Sequence, residues 1–371
     1  MRTRINDMLG IKYPILGFTP SPEVAAAISR AGGFGVLGAI RYTKIEELAE
    51  ALDWMDANVD GKPYGLDIVM PSKVIDEGDV TALEGMVPER HKRFVDELMV
   101  RFGVPELAEG TAGPNAITGW VHDFARAQVE IALKHPIKLL VNALGSPPAD
   151  VMAEAHAKGV LVAALSGHAK HAASHVQAGV DIIIAVGHEA GGHTGEVTTM
   201  VLVPEIVAAA EGRPVLAAGG IGTGAQIAAS MALGAEGVWM GSVWLTTEEY
   251  RLEPPGANGY SVVAEKLLAA TSSDTVRSKV ISGKPARMLR TEWTKAWEAE
   301  GSPGPLPMPL QGILVAEAEA RIRGSQHKAL LGTPVGQIVG QMNAVRPVEE
   351  VIRKLAEDFE VACDRVAALR G

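Results

Sequence analysis

The chain has 371 residues, of which 47% are hydrophobic and 21% charged, and its formal net charge is −10. This apolar share excludes a disordered chain, and the acidity argues against a general nucleic-acid binder, which needs clustered Lys and Arg to neutralise phosphates. A local anionic substrate is still allowed, because one site can be positive on an acidic protein.

The start, Met1-Arg2-Thr3-Arg4-Ile5-Asn6-Asp7, is polar and lacks the apolar core of a signal peptide. Short apolar runs then recur at 14–17, 35–40, 64–70, 137–143, 160–165, 180–186, 214–218 and 237–240. Helical patterns fill most of the gaps, at 22–31, 44–58, 149–158, 168–178, 204–210 and 224–233. Strand-then-helix alternation implies parallel pairing, and eight such units within about 245 residues match a (β/α)₈ TIM barrel. The expected fold class is therefore α/β, with a doubly wound open sheet as the runner-up.

Two segments depart from a minimal barrel. Residues 71–136, after strand three, are rich in charge with helical patches at 89–101 and 122–134, which reads as a helical insertion. Residues 246–371 follow the barrel of residues 1–245 as a mostly helical C-terminal region, divided by the Pro-rich stretch Gly301-Ser302-Pro303-Gly304-Pro305-Leu306-Pro307 and expected to pack over the barrel mouth. The only cysteine, Cys363, lies in its last helical pattern, so no intramolecular disulfide can form, as fits a reducing cytoplasm. No apolar run approaches the roughly 18 residues of a membrane span, so a soluble cytoplasmic protein without a membrane partner is expected.

The chemistry concentrates where strands end. After the sixth apolar run comes Gly187-His188-Glu189-Ala190-Gly191-Gly192-His193-Thr194-Gly195-Glu196. Glycines let the backbone bend and approach a ligand, and a histidine among them offers an acid, a base or a hydrogen-bond donor near neutral pH. A zinc motif is not supported: the two histidines are five apart, not four, and Gly191-Gly192 would break the helix such a motif needs. His168, His171 and His175 share a helical face without a carboxylate or cysteine to complete a metal shell, so no metal is expected. The seventh strand ends in Ala217-Ala218-Gly219-Gly220-Ile221-Gly222-Thr223-Gly224 and the eighth in Met240-Gly241-Ser242. In barrels, these two loops with a helix N-terminus commonly bind phosphate. A phosphorylated ligand across strands seven and eight, with the His193 loop beside it, follows.

These three ordered loops, GHEAGGHTGE, AAGGIGTG and MGS, resemble those of the nitronate monooxygenases, formerly called 2-nitropropane dioxygenases. They are also similar to those of the flavin-dependent enoyl-acyl-carrier-protein reductases II. The stretches PIL, AAAISRAGGFGVLGA, GLDIVMP and GQIVGQM extend the likeness over most of the chain. Both families are FMN-containing barrels, so the resemblance implies FMN as cofactor. It implies that His193 is the catalytic histidine of a Gly-Gly-His-x-Gly motif. It also implies that Gly219, Gly220, Gly241 and Ser242 cradle the FMN phosphate, with Gly222 in the same turn, while Gly191 and Gly192 pass the flavin. Phe18 and Thr19 match a strand-one loop beneath the flavin ring, and Asp67 stands where many members have asparagine. The strand-one loop reads Gly17-Phe18-Thr19-Pro20 where the family usually has Gln-Gly-Gly-Met, and Leu165-Ser166-Gly167 stands where some members have lysine.

The resemblance implies oxidation of alkyl nitronates by O₂ to a carbonyl compound and nitrite, His193 acting as base or hydrogen-bond donor. The alternative is NAD(P)H-dependent reduction of an enoyl or related coenzyme A or acyl-carrier thioester through the same flavin. A non-catalytic FMN-binding protein is a third reading. A homodimer is common among such relatives.

Overall fold

The structure, a computed structural model, describes residues 1–70, 80–107, 122–256 and 259–370. Eight parallel strands close into a barrel. They are β1 (Ile15–Thr19), β2 (Phe34–Gly38), β3 (Tyr64–Ile68), β4 (Leu139–Asn142), β5 (Leu161–Ser166) and β6 (Ile182–Val186). A two-residue strand, β7 (Gly192–His193), stands outside the barrel, which β8 (Val215–Ala218) and β9 (Gly237–Met240) complete. The closure is made by β9 against β1, with Leu16 opposite Trp239. All eight apolar runs of the sequence are strands of this barrel, with ends displaced by a few residues.

The runs are continuous rather than alternating because both faces are covered: every residue of β2, β3 and β6 is buried. One set of side chains, including Leu16, Val36, Val141, Ile184, Leu216 and Trp239, fills the barrel interior. The other set, including Leu66, Ile68, Leu140 and Val162, packs outward under the helices. Helix Pro22–Arg30 rides so close to β2 that a Cβ on Gly35 would lie 1.9 Å from the Ala25 carbonyl oxygen. A short helix, Arg4–Leu9, gave no sequence signal; its Ile5 and Leu9 join the interior cluster with Leu16 and Phe34.

Two helices relocate what the sequence assigned to appendages. His122–Ala132 is the crossover helix between β3 and β4: its Ala125 and Val129 join the outer core beside Ile45–Asn58. Val348–Ala367 is the eighth barrel helix, seated between Gly224–Ala232 and Pro22–Arg30, with Ile352, Leu355 and Phe359 packed among Ile28 and Ile227. It lies on the flank and not over the mouth, so the barrel does not end at residue 245.

A second core forms beside the barrel. Val95, Leu98 and Met99 of the inserted helix Glu89–Phe102 pack with Val315, Ala318 and Ile322 of Leu310–Gly324. The C-terminal region also holds two strands where the sequence suggested helices. These are β10 (Thr275–Ser278) and β11 (Ala286–Leu289), which pair antiparallel, and β11 pairs in turn with β7. Among the described residues, no helix is long and apolar enough to cross a membrane.

Candidate active site

The loop after β6 is gripped from two sides. On the barrel side, both Glu189 carboxylate oxygens accept from the Thr199 backbone N–H, at 2.9 and 3.2 Å. Thr199 opens the helix Thr199–Ala209, where unsatisfied N–H groups and the helix dipole favour an anion. Glu189 is thus a loop anchor rather than a solvated acid. On the other side, β7 pairs with β11, placing Gly192 opposite Arg287 and His193 opposite Ala286.

Two arginines of this strap reinforce the pairing, and sequence reading missed both. Arg287 is 4% exposed; its Nε donates to the His188 carbonyl at 3.1 Å and its Nη1 to Thr275 Oγ1 at 3.1 Å. Arg277 donates from Nη2 to the Thr194 carbonyl at 2.9 Å and from Nε to Thr194 Oγ1 at 3.2 Å, and its Nη1 pairs with Glu196. Burial lowers the Arg287 pKa, the charge of Arg277 adds to this, and Glu189 opposes it. The signal available in the sequence was the alternation in Thr275-Val276-Arg277-Ser278, followed after a Gly-Lys-Pro turn by Ala286-Arg287-Met288-Leu289.

His193 sits at the end of this grip. Its Nδ1 lies 3.1 Å from the Pro285 carbonyl, an acceptor only, so Nδ1 carries the hydrogen and donates. Nε2 is then the basic nitrogen, and Ser282 Oγ lies 3.3 Å from it. The surrounding protein lowers the His193 pKa by desolvation; the Pro285 carbonyl opposes this and Lys284 adds to it. The ring is therefore neutral at pH 7, although the residue as a whole is exposed.

The barrel lumen supplies a different surface. Phe18 faces inward and stacks on Trp239, with ring centroids 5.9 Å apart and planes inclined by 21°. Thr19 faces the other side of β1, and its Oγ1 accepts from the Ser21 N–H at 3.1 Å, so its hydroxyl serves the turn into the first barrel helix. Asp67 alternates with the outward Leu66 and Ile68 and so points into the lumen. It is 7% exposed, its Oδ1 is sealed, and neither carboxyl oxygen has a hydrogen-bond donor among the described residues. Burial alone pushes its pKa well above the usual carboxylate range.

The glycine turns after β8 and β9 meet the β6 loop. Gly219 and Gly220 adopt φ of 103° and 68°, a region that favours glycine. A Cβ on Gly219 would lie 3.0 Å from the Gly187 carbonyl, and one on Gly220 would lie 3.2 Å from Glu189 Cβ. Gly241 borders Phe18, the nearest atom to a Cβ there being 3.8 Å away. The Gly336 N–H donates to Ser242 Oγ at 2.9 Å, and a Cβ on Gly191 would strike the Val335–Gly336 backbone at 2.8 Å. Residues 335–337 therefore cross the loops after β6 and β9. Gly222 is not positioned as an anion donor, because its N–H donates to Gln226 Oε1 at 2.9 Å. A cavity of about 320 Å³ opens beside the glycine turns, lined by Glu189, Thr199, Gly219, Gly220, Gln226 and Gln337; Asp67 and His193 do not line it.

The remaining candidates are structural. His175 is 3% exposed, with Nε2 donating to the Leu165 carbonyl at 3.1 Å and Nδ1 accepting from Ser146 Oγ at 2.7 Å. His168 caps its helix through Nδ1, which accepts from the Lys170 N–H at 3.1 Å. Among the described residues no group of three or more histidine, cysteine or acidic side chains could hold a metal ion. Trp244 is fully buried, its Nε1 donating to the Met240 carbonyl at 2.7 Å. Asn142, which the sequence did not single out, ties the tops of β3 and β4: its Oδ1 accepts from Met70 N–H at 2.9 Å and its Nδ2 donates to the Met70 carbonyl at 3.1 Å.

The sequence model of the nitronate monooxygenase family matches residues 2–358. The chain belongs to this family. Nitronate monooxygenases are oxidoreductases, and this family member is accordingly an enzyme of that class. It is 47% identical to Rv1533 of Mycobacterium tuberculosis, whose name gives a monooxygenase activity only provisionally, over 100% of this chain and 99% of that protein. It is 27% identical to a probable nitronate monooxygenase of Staphylococcus saprophyticus, over 96% of this chain and 98% of the relative. Among solved structures, FabK from Thermotoga maritima is similar with a TM-score of 0.74 and 27% identity, over 100% of this chain and 99% of FabK.

Proposed function

We propose that this nitronate monooxygenase family member uses FMN to oxidise alkyl nitronates with O₂, giving a carbonyl compound and nitrite. The observation that carries the reading is the convergence of three glycine loops, after β6, β8 and β9, on one rim of the barrel, with a neutral histidine fixed at its edge. The residues present fit the cofactor. Gly219 and Gly220 line a cavity of about 320 Å³, where a phosphate can approach the backbone, Gly241 and Ser242 lie in the adjoining turn after β9, and the lumen offers an unpartnered polar group at Asp67 beside aromatic and aliphatic walls.

FMN supplies the electron transfer that side chains cannot perform. The protein supplies position and proton control. Gly191 and Gly192 bring the backbone near the ligand, Glu189 and the two arginines hold that backbone in place, and His193 Nε2 is the basic atom. With Nδ1–H committed to Pro285, Nε2 can take a proton α to a nitro group; once protonated, it donates a hydrogen bond to the anion.

Anaerobic titration of the flavin-loaded protein with an alkyl nitronate tests the proposal. Loss of oxidised-flavin absorbance is expected, and His193→Asn should retain the flavin but not respond. An unchanged spectrum with nitronate, combined with bleaching by NADPH, would replace this reading with a thioester reductase; no response to either would favour a non-catalytic flavin protein.

A further inference from the structure

Asp67 is an inward-pointing carboxyl on the carboxyl-terminal half of a barrel strand, buried to 7% exposure with Oδ1 sealed, and without a hydrogen-bond donor among the described residues. An ionised carboxylate in that position would be an unpaired buried charge, which proteins avoid by keeping the group protonated. Its strand neighbours are Gly38 on β2 and Val141 on β4, and Phe18 and Trp239 share the lumen. None of these is titratable, and among the described residues no charged group acts on Asp67. Among the described residues, nothing is therefore placed to use its hydrogen-bonding capacity.

A neutral carboxylic acid presents one O–H donor beside one carbonyl acceptor. That pair is complementary to an imide edge, where an N–H sits between two carbonyl oxygens. The flavin ring carries such an edge. We propose that Asp67 binds the imide edge of the flavin as a neutral acid, donating one hydrogen bond to a ring carbonyl and accepting another from the ring N–H. The inference rests on the flavin reading of the site above. It explains how an acidic residue is tolerated there: no anion faces the ring, and the amide that would do the same task is replaced by its protonated isostere.

The consequence is a proton linkage. Bound flavin holds Asp67 protonated, so affinity falls as pH rises above the carboxyl pKa of the flavin-free protein, by up to about tenfold per pH unit. The holoprotein is diluted at pH 7 to 9, above the second phosphate ionisation near pH 6, and release of FMN is followed by its fluorescence. Wild type should release progressively more FMN across this range, whereas Asp67→Asn should hold FMN with no such trend. Asp67→Leu keeps the site neutral but strands the imide edge, so its affinity should drop about 10- to 100-fold at every pH. The same pH profile for wild type and Asp67→Asn, or full affinity in Asp67→Leu, would overturn the role of Asp67 and leave FMN binding intact. Failure of wild type itself to bind FMN would overturn the cofactor reading and this inference together.

Discussion

Replacing Arg287 with methionine isolates the contribution of the C-terminal strap to the loop after β6. Methionine retains much of the buried volume, so little cavity is created. Two hydrogen bonds are lost, but unequally. Thr275 Oγ1 keeps an alternative partner, the Ser272 carbonyl at 3.4 Å, whereas among the described residues the only side-chain donor to the His188 carbonyl is Arg287 Nε. A stranded buried acceptor costs about 1–3 kcal/mol, and loss of the desolvated charge offsets part of it, so the loop should loosen by about 2 kcal/mol. Because this opening is local, amide hydrogen exchange is the appropriate assay. Peptides covering residues 187–196 should exchange about 30-fold faster in Arg287→Met, since every 1.4 kcal/mol is about tenfold. Peptides covering β6 should not change. Arg287→Lys should not restore protection, because a single ammonium lacks the planar fork that reaches both acceptors. Unchanged exchange in the loop, or equal acceleration in β6, would refute the reasoning.

Three further outcomes are expected. Glu319 lies in a small cavity with Thr291, Trp293 and Arg323, and burial raises its pKa to about 7, against the opposing charge of Arg323. Its contribution to stability is fully present below the unfolded value near 4.5 and is lost as pH rises to about 7, so wild type should lose urea resistance relative to Glu319→Gln between pH 5 and 8; a constant difference between the two would contradict this. His175 is shifted the other way, burial lowering its pKa with the Leu165 carbonyl opposing, so its contribution is present above about pH 6.5 and lost as pH falls. His175→Gln should flatten that acid limb in thermal melts, and an unaltered limb would assign it to other groups. Gly224→Ala places a Cβ 2.1 Å from the Phe359 backbone nitrogen, so undocking of Val348–Ala367 should cost about 1–3 kcal/mol and lower the melting temperature, an effect absent if the helix slides at no cost.

The barrel was legible because its signal is local. An apolar run of four to seven residues, repeated eight times with helical patterns in most of the gaps, specifies strand and crossover without long-range information. The three glycine loops were legible for the same reason. What escaped notice depended on distant partners. Arg287 and Arg277 look like ordinary surface charges in sequence, and only pairing of β11 with β7, nearly a hundred residues away, makes them loop anchors. Helix Val348–Ala367 has a strongly amphipathic pattern, but nothing local says that its apolar face closes the barrel between the first and seventh barrel helices. Glu189 could not be read as an anchor because the helical pattern begins at 204 and its true start at Thr199 appears only in the structure, whereas Thr19 could have been read as outward from strand alternation with Phe18. Gly222 fell within a glycine-rich turn, and composition could not show that its N–H is committed to Gln226.

The base character of His193 is a property of the tail as much as of the barrel. A histidine on an exposed glycine loop would titrate near 6.5 and exchange tautomers freely. Here the Pro285 carbonyl takes the Nδ1 hydrogen and fixes the tautomer, desolvation lowers the pKa, and Lys284 adds to the lowering. Pro285 and Lys284 belong to the turn between β10 and β11, and that turn is held to the loop by β-pairing and by Arg277. The barrel end of the same loop is fixed by Glu189 on the helix Thr199–Ala209. Glycines at 191 and 192 permit the close approach but contribute no rigidity, so the positioning of Nε2 has to come from these two attachments. The segment that looked like an appendage in the sequence therefore both completes the barrel wall and sets the protonation state of the group proposed for catalysis.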